Sequence, residues 1–121
     1  MATFESESIR NIGVVGHGDA GKTSLVSTML FASGDVNRLG KVEEGNTVTD
    51  YDEEEIERQV TLTSSVAYSH WRDHKINIVD TPGYSAFVQD AKMSLLGLET
   101  ALVVVDAVEG AEVQTEQVWG F

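Results

Sequence analysis

The residues best equipped for chemistry run Gly16-His17-Gly18-Asp19-Ala20-Gly21-Lys22-Thr23-Ser24 and follow directly on the apolar run at 12–15. The spacing fits G-x-x-x-x-G-K-[ST], and the motif sits between an expected strand and an expected helix, the context this chemistry requires. Glycines let the backbone close around a polyphosphate, so that successive N–H groups and the helix start face anionic oxygens. Lys22 would supply a point charge to the outer phosphates, and the Thr23 hydroxyl would reach Mg²⁺. A glycine-rich turn that binds nothing has no use for Lys and Thr in that register. The motif therefore implies a nucleoside triphosphate site.

A second element is Asp80-Thr81-Pro82-Gly83, placed immediately after the apolar stretch 76–79. A carboxylate at a strand end can hold Mg²⁺ in line with the Thr23 hydroxyl, and the Gly83 N–H can approach a terminal phosphate without a side chain in the way. Taken alone, an Asp-Thr-Pro-Gly turn is ordinary. Some sixty residues after a complete phosphate loop it reads as part of the same site.

These motifs need elements to position them. Residues 10–15 read as a first strand, and 22–33 as a helix with Leu25, Met29 and Ala32 on one face, Val26 and Leu30 beside them, and Gly34 at a left-handed C-cap. Residues 35–59 show no sustained period and carry eight acids between Glu43 and Glu57. Such a block reads as a solvated or mobile segment, and a long irregular stretch in a compact domain is normally functional or disordered. Residues 60–71 are rich in β-branched and aromatic side chains, with Leu62, Val66 and Tyr68 on one alternating face; after Arg72-Asp73-His74 a strand follows at 75–80, giving an antiparallel hairpin. Ser85 reads as the N-cap of a helix burying Phe87, Ala91, Leu95 and Leu98. Residues 100–106 suit a strand buried on both faces, and 112–119 begin a further helix. Strand–helix alternation with one hairpin predicts an α/β fold: a mostly parallel sheet with flanking helices.

Composition narrows the rest. The chain has 121 residues, enough for one domain. Without cysteines it has neither disulfides nor a thiolate metal site. The acidic start lacks the features of a signal peptide, and no apolar run is long enough to span a bilayer, so a cytoplasmic protein without membrane contact is expected. The net charge of −12, with only eight scattered Lys and Arg, argues against direct nucleic-acid contact by this segment. His17 reads as a loop residue, and His70 and His74 as hairpin surface.

With these residues in view, the chain resembles the translational GTPases. Gly16 to Ser24, Glu57-Arg58-Gln59-Val60-Thr61-Leu62 and Asp80 to Gly83 look like the first three guanine-nucleotide motifs of that family. Gly40-Lys41-Val42-Glu43-Glu44-Gly45 followed by Asp50, and Lys75 to Gly83 continued by 102–106 and Glu109-Gly110, sharpen the likeness to elongation factor G and its paralogues. The motifs are equally at home in ribosomal protection proteins and release factor 3. The resemblance implies a P-loop NTPase G-domain fold, of which residues 1–121 are the N-terminal portion, binding GTP or GDP with Mg²⁺. Segment 35–59 would be switch I, and 80–98 switch II with its following helix. Gly16, His17, Gly18, Asp19, Ala20, Gly21, Lys22, Thr23, Ser24, Asp80, Thr81, Pro82, Gly83 and Tyr84 would contact nucleotide. Thr23, Thr61 and Asp80 would hold the metal, with Lys22, Thr61, Gly83 and Tyr84 as the catalytic set. The ribosome would be met through the full-length protein.

Three departures from the family pattern stand out. Tyr84 occupies the position where the family has a His that orients the attacking water. It would either slow intrinsic hydrolysis, since a neutral phenol carries no imidazolium charge, or simply pack over the nucleotide. Gln59 stands where a glycine is usual. No Asn-Lys-x-Asp occurs, so guanine choice rests on the resemblance alone, and the segment is expected to stop before that motif. The strand that would flank 101–105 is then missing, leaving an apolar edge open to self-association.

Overall fold

A computed structural model describes residues 3–121. β1 (Ile9–Gly16) lies inside a four-stranded sheet. It pairs in parallel with β3 (His74–Asp80) on one side and β4 (Thr100–Val104) on the other, and β2 (Ser65–Trp71) runs antiparallel to β3 at the far edge, in the order β2-β3-β1-β4. The hairpin turns through Arg72 and Asp73, both at positive φ (46° and 64°), the backbone that matches the twist of the flanking strands. The expected α/β architecture is present.

α1 (Lys22–Ser33) covers one face, where Val26 and Leu30 meet Val14, Ala67 and Ile78. The expected apolar face is rotated: Leu25 is only half-buried and Ala32 is exposed, while Val26, Ser27 and Leu30 point inward. The cause lies at the helix start. Lys22 and Thr23 are turned into the site, and positions 23, 26, 27 and 30 share their side of a 3.6-residue helix. Gly34 caps the helix in the left-handed region at φ 83°, as expected.

The β2 face is reversed as well. The strand begins at Ser65, so Leu62 lies outside it. Ser65, Ala67 and Ser69 are buried, whereas Val66 is 73% and Tyr68 55% exposed. α1 lies close against this edge strand, and small side chains fit beneath it. α3 (Val88–Leu95) and α4 (Val113–Trp119) pack instead on β1, and α4 also on β4. β4 is not buried on both faces: it ends the sheet, with Thr100, Ala101 and Leu102 exposed. Ser85 is not a helix cap. A 3-10 turn at Ser85–Phe87 precedes α3, whose N-cap is Phe87 without a side-chain bond. Of the expected buried face, Ala91 is fully buried and Phe87, Leu95 and Leu98 half-buried.

The segment 35–59 is more ordered than its sequence implies. A 3-10 turn at Val42–Glu44 precedes α2 (Glu53–Arg58), which starts with a capping box between Asp52 and Glu55. Glu55 is 1% exposed; its Oε1 accepts the Leu62 and Thr63 N–H groups at 2.9 and 3.1 Å. The acid block is thus not uniformly solvated, because Asp50 and Glu55 point inward. Among the described residues, no helix is long and apolar enough to cross a membrane.

Asp35 closes the outer edge of β2. Its carboxylate accepts the His70 N–H at 2.8 Å and Ser33 Oγ at 2.7 Å, and meets His70 Nδ1 at 2.6 Å. Partial desolvation pushes its pKa upward, but the bonds from the His70 backbone, the His70 ring and Ser33 prevail and hold it at about 2, against an ordinary 3.8. A carboxylate depressed on folding stabilises fully above its ordinary value and loses that contribution as pH falls through the native one. Asp35→Asn is expected to cost less than about 1 kcal/mol at neutral pH, since the pair is largely exposed. It should also flatten the acid limb between pH 3.8 and 2, which urea titrations across that range would read.

Candidate functional site

The loop between β1 and α1 encloses one end of a cavity of about 270 Å³. The start of α1 buries Lys22, whose Nζ donates to the His17 carbonyl at 2.6 Å. Burial lowers the Lys22 pKa, while the negative charges of Asp80, Asp19 and Asp50 work against that shift. Gly83 comes up against the same place. A Cβ there would collide with Lys22 Nζ and would lie 2.7 Å from the Gly18 nitrogen. No residue but glycine fits this approach.

Beyond Lys22, four elements bring hydroxyls and carboxylates together. Thr23 from α1 and Thr49 from segment 35–59 each donate to Asp80 Oδ2 at 2.8 Å, at the end of β3. Thr61 donates to Asp50 Oδ1 at 2.8 Å and lies 3.0 Å from Thr23 Oγ1. Asp80 Oδ1 and Asp50 Oδ2 are buried without a hydrogen-bond partner. Burial raises the pKa of Asp80 to about 6, despite the two donated bonds and the Lys22 charge. Burial likewise raises that of Asp50, with Glu55 adding repulsion and Thr61 and Lys22 opposing it.

This donor set consists of oxygens, the ligands of a hard divalent cation, and its two unpartnered oxygens fit Mg²⁺. Among the described residues no cluster of three or more His, Cys, Asp or Glu stands ready to cage a metal unaided. Mg²⁺ commonly takes one or two carboxylates and completes its shell with water and phosphate oxygens. The sequence motifs point to Thr23, Thr61 and Asp80, and the structure unites them. They do not assign Thr49 and Asp50 to the site: Asp50 reads only as part of the family resemblance and of the acid block, and Thr49 carries no signal of its own.

The remaining expected residues divide. Gly18, Asp19, Gly21, Lys22, Thr23, Ser24, Thr61, Gly83 and Tyr84 line the cavity, joined by Val42, Glu43, Asp50, Gln59 and Val60. Gly16, His17, Ala20, Asp80, Thr81 and Pro82 do not. Thr81 is a brace, its hydroxyl donating to the Val14 carbonyl at 2.8 Å, and Asp80 meets the site through Thr23. His17 is tethered toward α4, with Nε2 3.2 Å from a Glu112 carboxylate oxygen. Gln59 takes the left-handed backbone, φ 56°, at the end of α2.

A mostly parallel sheet with a cavity beyond the strand ends, a phosphate loop opening the first helix and a carboxylate closing a neighbouring strand define a P-loop NTPase domain. Within that class the chain belongs to the family described as the elongation factor Tu GTP binding domain, which matches residues 7–121. It is 49% identical over 116 residues to elongation factor G of Petrotoga mobilis, an alignment spanning 96% of this chain and 17% of that protein. It is 48% identical to the mitochondrial ribosome-releasing factor 2 of Candida dubliniensis, over 96% of this chain and 14% of that one. A crystal structure of a Thermus thermophilus protein superposes with a TM-score of 0.90 at 39% identity, covering 93% of this chain and 17% of its own. The segment therefore spans about a sixth of the length of these relatives.

Asp50→Asn keeps an acceptor for Thr61 but removes a charge, and is expected to weaken Mg²⁺ about tenfold. The readout is the Mg²⁺ concentration needed for tight binding of a fluorescent nucleotide. The sign for Asp80 is opposite to that for Asp35. Its native pKa lies above the ordinary 3.8, so it favours the metal-free fold below that value and ceases to as pH rises through about 6. Mg²⁺ needs the ionised carboxylate, so its affinity should climb over the same interval, which titrations at pH 5, 6 and 7 would follow.

Proposed function

We propose that this segment is the phosphate-binding part of a GTP-hydrolysing translation factor of the elongation factor G type, which couples hydrolysis of Mg·GTP to ribosomal translocation. The observation that carries the reading is a pair of buried carboxylates with free oxygens: Asp50, which lines a cavity rimmed by the phosphate loop and Lys22, and Asp80, which meets it through Thr23. The relatives' names, elongation factor G and ribosome-releasing factor 2, supply the ribosomal setting. Guanine as the base follows from family membership. The ribosome is met through the full-length protein in the cytoplasm, with no direct nucleic-acid contact by these acidic residues.

Each residue has a role that its chemistry permits. Lys22 and the backbone N–H groups of the loop from Gly16 to Ser24 neutralise and orient the phosphates. Thr23, Thr61 and Asp80 would hold Mg²⁺, with Asp50 beside them, and the ion would supply positive charge to the phosphate oxygens. The Gly83 N–H addresses the terminal phosphate, and Tyr84 closes that end. Catalysis here is positional and electrostatic, since phosphoryl transfer asks little covalent chemistry of the protein. Segment 35–59 acts as switch I and 80–98 as switch II. Both are fastened to the metal end of the site, so loss of the terminal phosphate loosens both.

Lys22→Ala removes a charged donor to phosphate and is expected to lower nucleotide affinity on the order of a hundredfold. Titration with a fluorescent GDP analogue, using ATP as competitor and EDTA as control, measures it. Undiminished affinity would refute the reading.

A further inference from the structure

The Tyr84 side chain meets the phosphate loop at two points. Its ring lies over Gly18, where an added Cβ would stand 2.9 Å from Cζ, 3.0 Å from Cε1 and 3.1 Å from Cε2. Three ring atoms at that range mean that any side chain at position 18 would press on the ring and force it to shift. The Tyr84 hydroxyl donates to Asp19 Oδ2 at 2.7 Å, across 65 residues of sequence. Asp19 holds the left-handed backbone, φ 61°, which residues bearing a Cβ adopt at a cost.

We propose that Gly18, Asp19 and Tyr84 form a clasp that fastens Gly83 to the phosphate loop and so favours a nucleoside triphosphate over a diphosphate. The inference deepens the nucleotide reading above and rests on it. Gly83, the neighbour of Tyr84 in the chain, is packed against Lys22 Nζ and the Gly18 nitrogen. Pinning residue 84 by ring and hydroxyl therefore restrains the Gly83 N–H, which the reading assigns to the terminal phosphate. A diphosphate has no group there and gains nothing from that restraint. Burial and the Asp19 carboxylate push the Tyr84 phenol up to about 12, so at neutral pH it remains a donor to Asp19. A phenol so engaged takes no proton from water, and Tyr84 is a positioning residue.

The test compares a fluorescent GDP analogue with a fluorescent non-hydrolysable GTP analogue on the full-length protein. Tyr84→Phe deletes one oxygen and keeps the ring. It is expected to weaken the triphosphate about tenfold, the loss of a hydrogen bond to a charged group, and the diphosphate less than twofold. Gly18→Ala should shift the ratio in the same direction by displacing the ring. Because that clash needs the ring, Gly18→Ala added to Tyr84→Ala should weaken the triphosphate no further than Tyr84→Ala alone. An unchanged triphosphate-to-diphosphate ratio in Tyr84→Phe, or additive losses in the double variant, would overturn the clasp while leaving the nucleotide site intact. Binding of neither analogue by the unaltered protein would overturn the nucleotide reading itself, and the clasp with it.

Discussion

Burial of negative charge without full compensation is the constraint around which this molecule is arranged. Asp80 is inaccessible and Asp50 nearly so, yet each keeps one carboxylate oxygen unpartnered. Hydroxyls from Thr23, Thr49 and Thr61 satisfy the other oxygens, but a neutral donor does not replace the hydration that an ionised carboxylate loses. Lys22 offsets part of the deficit and is itself destabilised by burial. The site therefore holds negative charge that is only partly compensated, which is the setting in which a divalent cation and a polyphosphate would be favoured. Affinity in such a place comes from the folded scaffold that holds like charges together.

The same constraint shapes the fold around it. Thr23 must reach Asp80, and Lys22 must reach the loop, which fixes the rotation of α1 about its axis. Once fixed, the helix presents Val26 and Leu30 to Val14, Ile78 and Ala67, and no other stripe is available to the core. β2 then packs small residues inward beneath α1 and turns Val66 and Tyr68 outward. Site geometry and core packing are set by one helix orientation. A perturbation of the core face of α1 is thus felt at Thr23, one turn away from Val26.

How much of this is legible in the sequence depends on whether an element's determinants are contiguous. The phosphate loop and the Asp-Thr-Pro-Gly turn are readable because their chemistry lies in adjacent residues. The β-α-β alternation is readable because it is periodic. The inward face of β2 is not, since β-branched and aromatic residues favour strands on either face and only α1 decides which side is covered. β4 reads as a doubly buried strand because its aliphatic run is ambiguous without knowledge of its neighbours. Segment 35–59 reads as irregular because its order is tertiary. Glu55 looks like one more surface acid in a run of them, until the Leu62 and Thr63 amides fold back onto it.

That segment also shows how a chain can be tied to a site without much apolar anchoring. Leu39, Val48, Tyr51 and Ile56 are all exposed and Val36, at its start, packs against the core, so beyond that point hydrophobic burial contributes little to holding it. Its inward groups are polar: Thr47, Thr49, Asp50 and Glu55, with Thr61 just beyond. Two of its attachments involve the buried carboxylates, with Thr49 donating to Asp80 and Thr61 donating to Asp50. A segment stabilised by apolar contacts would stay folded whatever the site contained. One fastened by hydroxyls and buried carboxylates depends on those polar contacts instead, and its local unfolding costs less than that of an apolar core. The low apolar content that makes the stretch look featureless in sequence is the same property that leaves its order to polar contacts.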